Sequence, residues 1–235
     1  MQPTRTSNLP AYLALVVGIV SVAFTGIFVA WAKAPGPVAG FYRMVIAVSV
    51  MAGPFFYWRR RAAAPLPRGS VWIAVVGGLF FAADIGLWGT GVLLSGASTP
   101  TLLANLAPVW VGLGALVLFH ERQRPMFWLG VAITVAGAAA VLGLDTLRAP
   151  ALGLGSLLGV AAGVFYAGYF LVTQRGRESL DSLSYFWLSC LSSAAGLLVV
   201  IWLLGQPLAG YSTAANLNFA GLGLISQVIG YLAIG

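Results

Sequence analysis

TLLANLAPVWVGLGALVLFHERQRPMFWLGVAITVAGAAAVL, residues Thr101–Leu142, divides into two apolar runs joined by a short charged stretch. Each run approaches the ~20 predominantly apolar residues that a helix needs to cross a bilayer core. His120, Glu121, Arg122 and Arg124 lie between them, in a stretch too short for anything but a tight connection. Working outward in both directions, the same alternation of long apolar run and short polar link repeats along the chain. Eight spans are predicted: Leu9–Ala32, Pro37–Trp58, Val71–Leu94, Pro100–Phe119, Met126–Leu144, Ala151–Thr173, Leu183–Leu204 and Leu217–Gly235.

Composition leads to the same class. Hydrophobic residues make up 60% of the 235 positions and charged residues 7%. A soluble domain carries roughly 25% charged residues, so no water-facing surface can be assembled from this chain. Thirty glycines would be unusual in soluble helices but suit close helix contacts in lipid. The first span has Arg5 before it and Ala30-Trp31-Ala32 after it, an outline that loosely resembles a signal peptide. Its apolar run is too long for that, and seven more spans follow, so it reads as the first membrane helix.

Several function classes fall away. The net charge of +7 sits in the links between spans, which argues against nucleic acid as the partner. Cys190, the single cysteine, and His120, the single histidine, build neither a disulfide framework nor a metal site, and no cofactor is expected. No Gly-x-x-x-x-Gly-Lys-Ser/Thr occurs, so ATP hydrolysis is not expected. A membrane-embedded enzyme would need a converging Ser/His pair, paired Asp or a His cluster, and none is evident.

Basic residues in short links are retained on the cytoplasmic side. Arg5, Arg59, Arg60, Arg61, Arg68, Arg122, Arg124, Arg175 and Arg177 all fall at one end of the spans, leaving Lys33 and Arg148 at the other and Arg43 inside a span. The expectation is a multi-pass protein of the inner or plasma membrane with a cytoplasmic N-terminus.

An offset of 143 residues lays Tyr42 on Tyr185, Ser49, Ala52 and Gly53 on Ser192, Ala195 and Gly196, Gly78-Leu79 on Gly221-Leu222, and Trp88 on Tyr231. Spans one to three then match spans six to eight in opposite orientation, an inverted repeat of the kind found in many carriers. Spans four and five have no counterparts, and the sequence ends at Ile234-Gly235 while still apolar. The expectation is a fragment whose intact form carries two more helices.

Thr101–Leu142 also resembles the last two helices of an EamA-type repeat in the drug/metabolite transporter superfamily. The matching features are Asn105-x-x-Pro108, the terminal Glu121, the short basic turn and Leu129-Gly130, while Phe41–Ala47 (FYRMVIA) is similar to the start of the family's second helix. The resemblance implies an all-α polytopic membrane protein of inverted five-helix repeats, with a first repeat over 1–148 and a second, truncated one over 149–235, so that about eight of ten helices are present. It further implies a secondary carrier of a small polar metabolite (amino acid-, nucleoside- or drug-like) working by alternating access. The alternative is a non-transporting partner subunit or a lipid-flipping component. Expected partners are the substrate, a proton and membrane lipids, and a homodimer is compatible with such a chain.

Ionisable groups inside spans are costly and are functional candidates by default. At about 1.5 Å per helical residue, Arg43 lies roughly 7 Å outward of its span centre, Asp84 roughly 2 Å and Asn105 roughly 7 Å on the same side. Asp84 and Trp88 share one helical stripe, Thr101, Asn105, Pro108 and Gly112 another, and Gln227 and Tyr231 repeat the Asp84/Trp88 spacing in the second unit. The candidate cavity residues are Arg43, Asp84, Trp88, Asn105, Tyr166, Gln227 and Tyr231. Two readings of Arg43 and Asp84 stay open: substrate or proton contact, or a mutual ion pair holding helices together. Glu121 is expected in an interfacial ion pair with Arg122 and Arg124, the Arg59–Arg61 run as a topology anchor, and Pro108 at a kink.

Overall fold

In the computed structural model the chain is a bundle of α-helices, with residues 9–62, 65–142 and 153–234 described. Arg5, Arg148, the link between spans five and six, and Gly235 lie outside the described residues. Among those described, six helices are long and apolar enough to cross a membrane: Tyr12–Ala32, Gly36–Arg61, Arg68–Ser95, Ser98–Leu118, Leu154–Gly176 and Ser182–Leu203. The other two expected spans take different forms. Span five is an apolar helix over Pro125–Leu142, where the described residues pause. Span eight is a composite of unlike helical turns.

The elements run α1 (Leu9–Ala23), α2 (Thr25–Ala32), α3 (Gly36–Arg61), α4 (Arg68–Ser95), α5 (Ser98–Ala104), α6 (Ala107–Leu118), α7 (Pro125–Leu142), α8 (Leu154–Gly176), α9 (Ser182–Leu203) and α10 (Thr213–Gly221). A π-helical segment over Leu222–Gly230 follows α10 directly and passes into α11 (Tyr231–Ile234). Span one is thus α1 and α2 broken at Phe24, and span four is α5 and α6 broken at Asn105–Leu106. The second break has a plain cause. Pro108 lies in the first turn of α6, where its missing N–H and fixed φ are tolerated, and the helix restarts there rather than continuing through it.

Elsewhere the ends follow capping chemistry. Asp181 accepts from the Ser184 N–H at 2.9 Å to start α9, and Ser212 accepts from the Ala215 N–H at 3.2 Å to start α10. Lys33 closes α2 in the left-handed region, at φ 49°.

α4 is the hub. It packs along α8 and α9, and α9 packs in turn along α3. α3 also meets the π-helical segment, which lies against α1, while α2 packs on α10. With no hydrophobic drive between helices in lipid, small residues and cross-helix hydrogen bonds set these contacts. A Cβ on Gly78 would fall on the Ser189 carbonyl of α9, and one on Gly159 would sit 2.8 Å from the Pro100 Cα. Ser192 and Ser193 donate across to the carbonyls of Val75 and Gly78 at 2.8 and 2.6 Å. The buried core centres on Met44, Phe81, Tyr169, Tyr185 and Leu197. Large apolar side chains on the outside, such as Trp202 at 79% exposure and Met126 at 75%, are what a lipid-facing surface presents.

The basic links gather at one end. Ser70 and Ser179 hydrogen-bond at 2.8 Å, and the Arg175 guanidinium lies 4.6 Å from the Phe119 ring, which joins links two, four and six. The expected Glu121 ion pair with Arg122 and Arg124 does not form. These three residues are all exposed, where such pairs contribute little; among the described residues at this end, Arg175 pairs with Glu178 at 3.8 Å.

Candidate functional site

Three interruptions of regular helix meet at one place. The break in span one brings Val22 to Ile27, the break in span four brings Thr101 to Asn105, and the end of the π-helical segment brings Tyr231 to the wall of a cavity of about 490 Å³. α3, α4 and α8 complete the wall with Arg43, Phe81, Asp84, Trp88 and Tyr166. Six of the seven candidate residues therefore line one space: Arg43, Asp84, Trp88, Asn105, Tyr166 and Tyr231. The seventh, Gln227, stands behind Arg43 and is 1% exposed.

Arg43, 4% exposed, donates from Nε to Gln227 Oε1 at 2.7 Å. Gln227 in turn donates from Nε2 toward Cys190 Sγ at 3.5 Å. The guanidinium carbon lies 5.8 Å from the centre of the Phe81 ring and 5.6 Å from that of Tyr231, within cation–π range of both. The bond to Gln227 uses only Nε, so the two terminal nitrogens of the guanidinium are not consumed by it. A charge held this way, by an amide and two aromatic faces, is fixed in position without being cancelled.

Asp84 is 7% exposed, and among the described residues no cation lies within ion-pair distance of it. The Arg43–Asp84 ion pair weighed from the sequence is not formed. The reason is direction: the Arg43 side chain turns toward span eight, where Gln227 supplies a nearer acceptor. The cavity therefore carries one buried carboxyl and one buried guanidinium on the same wall with no direct bond between them.

Aromatic groups frame the two. The Trp88 indole N–H donates to Thr101 Oγ1 at 3.0 Å, which locks the ring between spans three and four. Tyr166 and Tyr231 hydroxyls are 3.5 Å apart, at the long limit of a hydrogen bond. Tyr169 stacks on Phe81 at 4.5 Å between ring centres and is 6% exposed. Asn105 ends α5 and faces the cavity at the kink.

Sequence reasoning missed Phe81 and the Val22–Ile27 break. Phe81 lies one helical turn before Asp84 on the same stripe, so the signal was present but masked by the ordinary frequency of Phe in apolar spans. The break in span one has no proline to announce it. It falls where Thr25 turns its hydroxyl back to the Val22 carbonyl at 2.5 Å.

The model of the EamA-like transporter family matches residues 9–143, more than half of the chain. The chain belongs to the EamA-like transporter family. It is therefore a multi-pass membrane protein of the drug/metabolite transporter type, and the family resemblance read from Thr101–Leu142 holds. Among solved structures, a crystal structure of a protein at 22% identity matches with a TM-score of 0.64, over 95% of this chain and 78% of that one. At that identity the likeness concerns the fold alone, and it covers α8–α11 as well as the earlier helices. A search of curated proteins returned no match.

Proposed function

We propose that this EamA-like protein is a secondary carrier that moves a small polar metabolite by alternating access, with the substrate held in the cavity between Arg43 and Asp84. The observation that carries the reading is the meeting of three helix interruptions around a buried guanidinium and a buried carboxyl that form no ion pair with each other. In carriers, broken helices free backbone groups near the bilayer midplane and substrates sit where they converge.

Each residue has a chemical task in this reading. Arg43 takes an anionic group through the terminal nitrogens that Gln227 leaves open. Asp84 takes a cationic group or a proton, since a buried carboxylate with no ion-pair contact gains from a neutralising partner. Trp88, Tyr166 and Tyr231 provide ring faces, Asn105 an amide at the kink, and Gln227 holds Arg43. A zwitterion of amino-acid size satisfies both charges at once. Opening and closing then amounts to one half of the molecule rocking on the other.

The two halves are residues 1–148 and 149–235, related as inverted repeats. Packing supports this. Span three lies on span six as span one lies on span eight, and span three on span seven as span two on span eight. Tyr185 packs at Gly77 of span three, and its repeat mate Tyr42 stacks on Phe219 of span eight at 4.7 Å. We assign the basic end to the cytoplasm of an inner or plasma membrane.

The test is flux in proteoliposomes, with zwitterionic amino acids and their amide or deaminated analogues as substrates and an imposed pH gradient. Saturable flux of the zwitterion is expected, falling at least tenfold in Asp84→Asn and in Arg43→Gln, with the pH-gradient response lost in Asp84→Asn. Absence of flux for every substrate in well-inserted protein would favour the partner-subunit reading. Unchanged pH response in Asp84→Asn would remove the coupling role.

A further inference from the structure

A second space lies away from the cavity, at the basic end, between the last turn of α3 and the first turn of α9. It has a volume of about 530 Å³ and is lined by Phe55, Trp58, Arg59, Arg61, Asp181 and Leu183, among others. Its two ends differ in chemistry. Toward the membrane interior are the Phe55 ring, stacked on Trp187 at 4.2 Å, and the Leu183 side chain. Toward the water are the arginines of the Arg59–Arg61 run, with the Arg61 guanidinium held 4.2 Å from the Tyr57 ring. Trp58, 61% exposed, stands at the junction, where tryptophans favour the headgroup level of a bilayer.

Charge makes the space selective. Arg59 and Arg61 supply two positive charges to its lining and Asp181 one negative, and Arg60 adds a third arginine on the same turn. Partial burial pushes the Asp181 carboxyl up, but the hydrogen bonds from Ser184 outweigh it and hold the group below its ordinary range. It is an anion at neutral pH. Arginines outnumber the one carboxylate here, so the space favours an anionic group such as a phosphodiester. The carboxylate beside it would repel a second negative charge and accept a hydrogen bond from a hydroxyl.

We propose that this groove binds the headgroup of an anionic phosphodiester lipid with a hydroxylated headgroup, of the phosphatidylglycerol class. The phosphodiester sits on Arg59 and Arg61, a headgroup hydroxyl on Asp181, and the glycerol backbone and upper acyl chain against Trp58, Phe55 and Leu183. A soluble phosphate ester would use only the polar half of the groove. Basic pockets between helices at the cytoplasmic surface are suited to anionic headgroups in general. The proposal requires only that the protein is embedded in a membrane, and stands whether or not the cavity between Arg43 and Asp84 carries substrate.

The experiment is native mass spectrometry of the full chain released from detergent after titration with phosphatidylglycerol or phosphatidylcholine of identical acyl chains. Preferential retention of one phosphatidylglycerol is expected. Each of Arg59→Gln and Arg61→Gln should reduce it about fivefold, the effect of one arginine near a charged surface. Arg122→Gln with Arg124→Gln, in the other basic link, should leave it unchanged. Asp181→Asn still caps α9 and should keep or strengthen retention of the lipid, which provides a reading even where an arginine variant fails to insert. Equal retention of the two lipids, retention insensitive to both arginines, or a fall in Asp181→Asn would overturn the proposal. So would glycerol phosphate displacing the lipid at equal concentration, since the groove would then be a site for free phosphate esters.

Discussion

Arg43 illustrates how far a single residue can be read from sequence. Its presence inside a span marked it as a functional candidate, and helical rise placed it near Asp84 and Asn105, all three of which line the cavity. Its partner was not legible. Depth along the bilayer is given by counting residues, but side-chain direction depends on which helix stands opposite, and that is a matter of tertiary packing. Gln227 was on the candidate list for its spacing to Tyr231, not for any pairing with Arg43. The bond predicts a specific energetic signature. Gln227→Leu leaves a buried guanidinium short of an acceptor and should cost about 1–3 kcal/mol, more than a lost neutral hydrogen bond. Arg43→Met in the Gln227→Leu background should cost clearly less than the sum of the two single changes, because both partners go together. Thermal unfolding of the four proteins in detergent gives the cycle. Strict additivity would mean that the 2.7 Å contact does not carry stability.

At the scale of elements, the apolar runs were legible because lipid imposes one rule: the backbone must satisfy itself, so a long run of apolar residues is a helix. Interruptions were legible only where proline causes them. Pro108 gave the break in span four, whereas the break at Phe24 and the π-helical turns of Leu222–Gly230 have no such marker. Those turns carry Gly223 against Ile46 of α3 and Gly230 against Val22 of α1, so the unusual winding occurs where span eight is pressed between two neighbours. Glycine's role also depends on what lies opposite. Gly78 and Gly53 are both inside helices, and an alanine at either gains up to about 1 kcal/mol in helix propensity. Gly53 faces open space, so Gly53→Ala should be neutral or slightly stabilising. At Gly78 the added methyl meets the Ser189 backbone, and overpacking of this kind costs about 1–3 kcal/mol. The midpoint of thermal unfolding should therefore fall for Gly78→Ala and hold for Gly53→Ala, and equal midpoints would contradict the close α4–α9 packing.

For the whole molecule, the quantity that sequence encodes most redundantly is orientation. Spread over separate links, the arginines of links two, four and six come together at one end of the bundle, although nothing local in the sequence joins them. The Ser70–Ser179 and Arg175–Phe119 contacts bring these links to the same surface. The opposite end, where the Tyr42 hydroxyl donates to the Leu208 carbonyl at 2.5 Å, carries Lys33 as its one basic residue among the described links. A distribution this lopsided fixes the insertion of each span relative to the next, since lysine and arginine in short links resist translocation while acidic residues contribute little. The proposed inverted repeat requires that matched spans one and six begin on opposite sides. Single cysteines at Arg60 and at Gly205 in a Cys190→Ala background should react with a membrane-impermeant maleimide from opposite faces of intact cells, Gly205 from outside and Arg60 only after lysis. Labelling of both from the same side would break the alternation of spans and with it the repeat. Labelling of Arg60 from outside and Gly205 only after lysis would keep the repeat but reverse the chain, leaving the lipid groove beside Asp181 in the outer leaflet.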